Sequence, residues 1–123
     1  MVFEVLDGGF ETNIQDYPGR IRYYNMGIPP SGPIDNFASR IANLLVREPP
    51  GSMNQLGTAL LETASKGPTL KFLEETVIAL TGADMVPTLN GEPIPMWQSV
   101  GVKTGDVLSL GSIKSGGCRA YVE

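Results

Sequence analysis

The sequence contains no histidine, a single cysteine and a single tryptophan among its 123 residues. Without histidine, the chain cannot form a Ser-His-Asp or Cys-His catalytic group, a histidine metal site or an imidazole general base. The lone Cys118 excludes an intrachain disulfide bond and a cage of thiolate ligands around a metal ion. Any proton transfer must therefore use Asp, Glu, Lys or Tyr side chains, the substrate, or a cofactor.

Basic residues are also scarce, because nine Lys and Arg against thirteen Asp and Glu give a formal net charge of −4. No basic stripe is visible, so we expect neither a nucleic acid nor an anionic membrane as a partner. No apolar run approaches membrane-spanning length, and residues 1–5 lack the pattern of a signal peptide. We therefore expect a cytoplasmic setting. The acidic residues show no EF-hand spacing, and no metal site is predicted.

Short segments of β-forming residues predict a mainly β fold, a barrel or a sandwich, in one domain spanning residues 1–123. Turns of Gly, Pro, Asn and Asp separate them, and Asn90-Gly91 is the strongest hairpin signal. Residues 82–84 are predicted as a turn. The predicted strands are 3–6, 10–15, 21–26, 59–63, 69–72, 76–80, 86–89, 97–102, 107–110 and 119–122.

One α-helix is predicted over residues 33–46, where apolar residues recur at helical spacing. The predicted buried face consists of Ile34, Phe37, Ala38, Ile41, Ala42, Leu44 and Leu45. Ser31 or Gly32 would cap this helix, Pro33 suits its first turn, and Asp35 complements the positive end of its dipole. Residues 51–57 read as a natural surface loop, with a cloning remnant as the alternative.

Asp16 and Arg20 bracket the predicted turn Tyr17-Pro18-Gly19. In one interpretation they form a surface ion pair that braces the turn, an interaction that contributes about 0–1 kcal/mol. In the other, Arg20 presents its planar fork to a substrate carboxylate or carbonyl and Asp16 orients it. The residues alone favour the ion pair.

The predicted helix start offers a second candidate site. Ser31 is either an N-cap or, with Gly32 and the free N–H groups of the first turn, part of an anion or oxyanion site. Without a histidine partner, Ser31 is a poor nucleophile. The candidates for lining a pocket are Tyr24, Asn43 and Glu62. A structural role is favoured for Asn43, and Glu62 is expected to face solvent or to pair with another group. Trp97 is expected in the core and Cys118 as a small buried hydrophobe.

Seven segments then occur in order: QDYPGR (15–20), GIPPSGPID (27–35), ANLLV (42–46), LET (61–63), GPTLKF (67–72), LTGAD (80–84) and GDVLSLG (105–111). This series resembles the allophanate hydrolase subunit 2 family, also called KipA-like or biotin-dependent carboxyltransferase-like. The variants DYPGR and PPSGP are most similar to the carboxyltransferase region of urea carboxylase and urea amidolyase. The resemblance extends over nearly the whole chain.

The resemblance implies a cyclophilin-like β-barrel, with this chain as the N-terminal half of a longer two-barrel domain and incomplete as an enzyme alone. It implies transfer of a carboxyl group from carboxybiotin to urea or a similar amide. Biotin would be held on a separate carrier domain, and ATP would act only through a partner domain. The biotin ureido anion can take the substrate proton, so the missing histidine is no obstacle. The implied substrate-binding residues are Gln15, Asp16, Arg20, Ser31, Gly32 and Asp35.

The resemblance leaves two alternative functions open. One is a subunit of an ATP-dependent 5-oxoprolinase-type amidohydrolase complex. The other is a non-enzymatic KipA-like regulatory module that binds a KipI-like partner. The implied partners are a KipI-like (subunit 1) domain or subunit and biotin carrier and biotin carboxylase domains. An open strand edge would also favour a homo-oligomer.

Overall fold

The computed structural model describes residues 2–46 and 59–123, so the predicted loop 51–57 lies outside the described residues. Within these ranges the chain forms ten strands and one α-helix. The elements are β1 (Phe3–Asp7), β2 (Glu11–Gln15), α1 (Asn36–Val46), β3 (Leu60–Ala64), β4 (Thr69–Phe72), β5 (Thr76–Asp84), β6 (Thr88–Leu89), β7 (Glu92–Pro93), β8 (Ser99–Val102), β9 (Val107–Ser109) and β10 (Ser115–Val122). The prediction of a mainly β fold with one main helix is confirmed.

The strands form two antiparallel sheets of five strands each. The first sheet has the order β1-β4-β9-β6-β7, and the second has the order β2-β3-β10-β5-β8. Strand pairing among the described residues leaves both sheets open, so the predicted barrel takes the form of two facing sheets without a closed circuit of hydrogen bonds. The edge strands β1 and β2 are consecutive in the chain.

The second sheet is covered on both faces, because successive side chains of a strand point to opposite sides. On β10, Ala120 and Val122 belong to the main core with Leu70, Phe72 and other residues of both sheets. Tyr121 points the other way and packs with Leu60 of β3 and with Ala38 and Ala42 of α1. Each fully buried Leu or Phe in such a core contributes about 1.5–3 kcal/mol. The helix therefore lies on the outer face of the second sheet, against β5 and β10.

Two predictions of local structure are wrong. Residues 21–26 form no strand but an exposed segment with a 3₁₀ turn over Tyr24–Met26, which ends at Gly27 with φ +78°. The predicted turn at residues 82–84 is the end of β5, where Gly82 adopts φ +90° within the strand. The hairpin at Asn90-Gly91 is confirmed. Both residues have positive φ, 52° and 83°, as a two-residue turn of type I′ requires.

Helix α1 begins at Asn36, three residues later than predicted, and its apolar stripe is only partly buried. Ala38 and Ala42 are buried, while Ile34, Phe37 and Leu44 are 64%, 70% and 55% exposed. Small residues face the sheet because the bulky Tyr121 occupies the space between helix and strands. The spacing of apolar residues identified the apolar face of the helix, but it did not identify which residues of that face the sheet covers. Among the described residues, no helix is both long and apolar enough to cross a membrane.

Candidate functional site

Three polar side chains form a row across the second sheet, beneath the start of α1. Glu62 of β3, Tyr121 of β10 and Thr81 of β5 are direct cross-strand partners. All three are buried, with at most 3% of each residue exposed. A buried polar group is costly unless it is hydrogen-bonded, so this row requires partners on the segment that covers it.

Each member of the row binds the backbone of residues 34–38. The Ile34 N–H donates to Glu62 Oε2 at 2.8 Å, and the Asp35 N–H donates to the Tyr121 hydroxyl at 2.8 Å. The Thr81 hydroxyl donates to the Ala38 carbonyl at 2.7 Å. Sheet and helix start are thereby joined by three hydrogen bonds over five residues. Glu62, expected to face solvent or a partner, is fully partnered and buried.

Two further side chains contact the buried carboxyl group of Glu62. The Tyr121 hydroxyl donates to Glu62 Oε2 at 2.7 Å, and Arg119 Nε lies 3.7 Å from Glu62 Oε1. Burial, followed by the hydrogen bond to Glu62, raises the pKa of Tyr121 well above its ordinary value of 10.0. The phenol therefore remains protonated and serves as a permanent donor.

Two loops that precede α1 in the chain pair with each other. Arg20 and Ser31 exchange backbone hydrogen bonds of 2.8 and 3.0 Å, which pair the loop 15–20 with the loop 29–32. The Arg20 guanidinium donates through Nε and Nη2 to the Pro29 carbonyl at 3.3 and 3.2 Å. Gly19 has φ +78°, and a Cβ there would collide with the Ser31 carbonyl. Only glycine fits this approach.

The structure overturns one of the two interpretations of Asp16 and Arg20, the surface ion pair. The described residues contain no ion pair between Asp16 and Arg20, because the Arg20 fork faces Pro29 in the opposite loop. Asp16 is exposed and Gln15 is half-buried at the end of β2. The structure thus brings Gln15, Asp16, Arg20, Ser31 and Gly32 into one loop pair, with Arg20 bracing it.

The predicted cap is also wrong, because Ser31 lies in the loop pairing five residues before the helix. Asp35 is the N-cap: its Oδ1 accepts the Ala38 N–H at 3.0 Å, and its carbonyl accepts the first helical bond from Ser39. The N–H groups of Ile34 and Asp35 point inward to Glu62 and Tyr121. An anion site built from free N–H groups near Ser31 therefore loses three of its donors to side chains of the chain itself.

The remaining candidates have different surroundings from those predicted. Tyr24 is 75% exposed on the 3₁₀ turn. Asn43 has the structural role that was favoured for it, since its Nδ2 donates to Glu123 Oε2 at 2.6 Å. Trp97 is 42% exposed and Cys118 is exposed, so neither lies in the core as expected. Both follow irregular backbone, which turns their side chains away from the interior.

A cavity of about 270 Å³ opens beside the N-terminus of α1. Its lining residues are Ile34, Asp35, Gly82, Ala83, Trp97, Gly116, Gly117, Cys118 and Arg119. The pairing of β10 with β5 shifts register between Ser115 and Ala120, and this irregular stretch forms one wall. Bulges of this kind often lie next to functional sites, because they redirect side chains.

Arg119 is the cavity residue that sequence reasoning missed. Its side chain is 22% exposed, and its Nε is buried without a hydrogen-bond partner among the described residues. The signal was available, since Arg119 lies two positions before Tyr121 in an otherwise apolar strand and shares its face. Within the described ranges, no group of three potential metal ligands occurs. The cavity therefore presents a cation and a carboxylate, Arg119 and Asp35, beside small residues and one tryptophan.

Comparison with known proteins adds a family to this geometry. Residues 26–123 match the family model described as carboxyltransferase domain, subdomain A and B. The chain is 44% identical over 119 residues to the urea amidolyase of Saccharomyces cerevisiae, and 40% identical over 120 residues to that of Lachancea kluyveri. These matches cover 97% and 98% of this chain but only 6% of each relative.

A solved structure agrees with these matches. The crystal structure of the Kluyveromyces lactis urea carboxylase is similar with a TM-score of 0.89 and 43% sequence identity. The similarity covers 99% of this chain and 10% of that one. The chain thus spans a small fraction of the length of the relatives that it matches.

Proposed function

Because this chain belongs to the family of carboxyltransferase domains, subdomain A and B, we propose that it forms part of a site that transfers a biotin-carried carboxyl group to urea or a similar amide. Similarity to two urea amidolyases and a urea carboxylase supports this substrate class. The observation that carries the proposal is the cavity that both Asp35 and Arg119 line beside the start of α1.

The residues of the cavity fit both reactants. Urea and the ureido ring of biotin each present a carbonyl oxygen, which accepts hydrogen bonds, and N–H groups, which donate them. The Arg119 guanidinium only donates, and an ionised Asp35 carboxylate only accepts. The Arg119 Nε lies 3.7 Å from Glu62 Oε1 and has no hydrogen-bond partner among the described residues, so the guanidinium keeps donor capacity for a bound carbonyl. Donor and acceptor groups therefore match.

In this proposal each residue of the chain has a binding or orienting role. Asp35 accepts a hydrogen bond from one N–H of the amide and so orients its other nitrogen. Arg119 binds the carbonyl oxygen and stabilises the negative charge that develops there. When bound, biotin supplies the carboxyl group and a basic nitrogen for the substrate proton. Histidine is not required for any of these roles.

The supporting parts of the site hold this geometry in place. Glu62 and Tyr121 accept hydrogen bonds from the consecutive backbone N–H groups of Ile34 and Asp35. The loop that contains Ser31 lies immediately before this segment in the chain and pairs with the loop that contains Arg20. We therefore propose that Gln15, Asp16, Arg20, Ser31 and Gly32 contribute to the substrate site by shaping its entrance.

We also propose that the chain functions together with further domains. These are a second barrel of the carboxyltransferase region, a biotin carrier domain and a biotin carboxylase domain, through which ATP would act. The small fraction of each relative that the chain spans supports this arrangement. A KipI-like partner remains a prediction of the resemblance, and a homo-oligomer remains a prediction from an open strand edge.

The test is a chimera in which this chain replaces the matching 119 residues of the S. cerevisiae urea amidolyase. We expect carboxybiotin to lose its carboxyl group at a rate that depends on urea. The assay measures the biotin and the carboxylated urea that form. Asp35→Asn should lower kcat/KM for urea at least about tenfold, which corresponds to about 1.4 kcal/mol of lost stabilisation.

Glu75→Gln is the control, because it removes an exposed carboxylate at the turn before β5. This variant should keep the activity of the unmodified chimera. A chimera that folds, as judged by its melting temperature, but responds to 5-oxoproline and not to urea would contradict the substrate assignment. Equal values of kcat/KM for urea in Asp35→Asn and Glu75→Gln would contradict the role of Asp35.

A further inference from the structure

Two aromatic side chains stand together at the rim of the cavity. The ring centroids of Phe37 and Trp97 are 6.3 Å apart, with an angle of 41° between the ring planes. Phe37 is 70% exposed on the first turn of α1, and Trp97 is 42% exposed before β8. Trp97 also lines the cavity itself, together with Asp35 and Arg119. The pair is therefore continuous with the polar groups of the proposed site.

The backbone holds Trp97 in an unusual conformation. Its φ is +62°, in the left-handed region that bulky residues rarely adopt and that costs about 1–3 kcal/mol. Its N–H donates to the Leu80 carbonyl of β5 at 2.7 Å, which fixes the residue against the second sheet. Strained residues of this kind are concentrated at ligand sites, where the strain fixes a side chain before binding. The indole is thus preorganised at the rim.

We propose that Phe37 and Trp97 form the surface that binds the bicyclic ring of biotin, an inference that rests on the proposed function. This ring system joins a polar ureido ring to an apolar five-membered thioether ring. Thioether sulfur and apolar C–H groups contact aromatic rings favourably. The ureido ring would then face Arg119 and Asp35, which line the same cavity as Trp97. Apolar and polar parts of the ligand therefore meet matching parts of the chain.

The test uses the fluorescence of Trp97, which is the only tryptophan in the sequence. Biotin methyl ester is titrated into the 123-residue chain, and the change in tryptophan emission gives a dissociation constant. We expect a saturable change. Phe37→Ala should weaken binding by about fivefold to tenfold, as loss of an aromatic contact does. Because Phe37 is largely exposed, this substitution should not prevent folding.

The second ligand in the test is desthiobiotin, which keeps the ureido ring but lacks the thioether ring. In the proposed arrangement, Phe37→Ala should weaken desthiobiotin binding less than about twofold. The matched control variant is Phe10→Ala, which removes an equally exposed phenylalanine from the turn between β1 and β2. Its biotin affinity should equal that of the unmodified chain. No saturable change in the unmodified chain, or equal weakening for both ligands in Phe37→Ala, would overturn the proposal.

These results are separable from those of the urea assay. If Phe37→Ala leaves both the urea-dependent transfer and the biotin affinity unchanged, the result contradicts the aromatic surface but not the proposed function. Biotin binding that depends on Phe37, in a chimera with no urea response, would support the surface and contradict the substrate assignment.

Discussion

Tyr121 and Glu62 face each other across β10 and β3, and the Tyr121 hydroxyl donates a 2.7 Å hydrogen bond to Glu62 Oε2. The Tyr121 hydroxyl also accepts a hydrogen bond from the Asp35 N–H, and Glu62 Oε2 accepts one from the Ile34 N–H. One buried pair thus fixes both the sheet and the peptide that leads into α1. The position of Asp35 in the cavity depends on this pair.

Tyr121→Phe should lower the free energy of unfolding by about 1–3 kcal/mol, because it leaves the Asp35 N–H without its partner and Glu62 with one donor fewer. Guanidinium chloride denaturation measures this loss. Tyr23→Phe, at a half-exposed residue, should stay within about 0.5 kcal/mol of the unmodified chain. Equal stability of the two variants would contradict the anchoring role of Tyr121.

The same residue predicts a change in stability at high pH. The pKa of Tyr121 is raised in the folded chain by burial and by Glu62, so its protonated form favours folding. This contribution is fully present below pH 10.0 and is lost as the pH rises towards the folded-state pKa. The stability difference between the unmodified chain and Tyr121→Phe should therefore shrink above pH 10. A difference that stays constant between pH 8 and 11 would contradict this linkage.

Gly19→Ala should disturb the pairing of the loops 15–20 and 29–32. Gly19 and Gly27 both have φ +78°, but only at Gly19 would an added Cβ collide with the Ser31 carbonyl. Each substitution should cost about 1–2 kcal/mol for the left-handed backbone. Gly19→Ala should cost at least about 1 kcal/mol more, measured by thermal unfolding. Equal melting temperatures would show that the close approach to Ser31 does not matter.

Asp35 has two roles that different substitutions separate. Asparagine is as good an N-cap as aspartate, so Asp35→Asn should keep the stability within about 0.5 kcal/mol, whereas Asp35→Ala should lose about 0.5–2 kcal/mol. Both variants should lower kcat/KM for urea in the chimera at least about tenfold, because neither carries the carboxylate. Full activity in Asp35→Asn would assign Asp35 to capping alone.

The sequence alone was enough to predict the mainly β fold, the hairpin at Asn90-Gly91 and the helix over most of its length. These features depend on local conformational preference and on the spacing of apolar residues, which are properties of short segments. Ordered motifs such as GIPPSGPID also predicted the family. The same motifs brought attention to Asp35, which the structure places at the cavity.

Tertiary structure decided which residues meet there. Glu62, Tyr121 and Thr81 lie far apart in the chain, and only the strand order β3-β10-β5 makes them neighbours. The same order places Arg119 beside Glu62. Long-range pairing also decided that small residues of α1 face the sheet and that Phe37 and Trp97 remain at the surface. Local sequence cannot encode these contacts, because each depends on the register between strands that are separated by tens of residues.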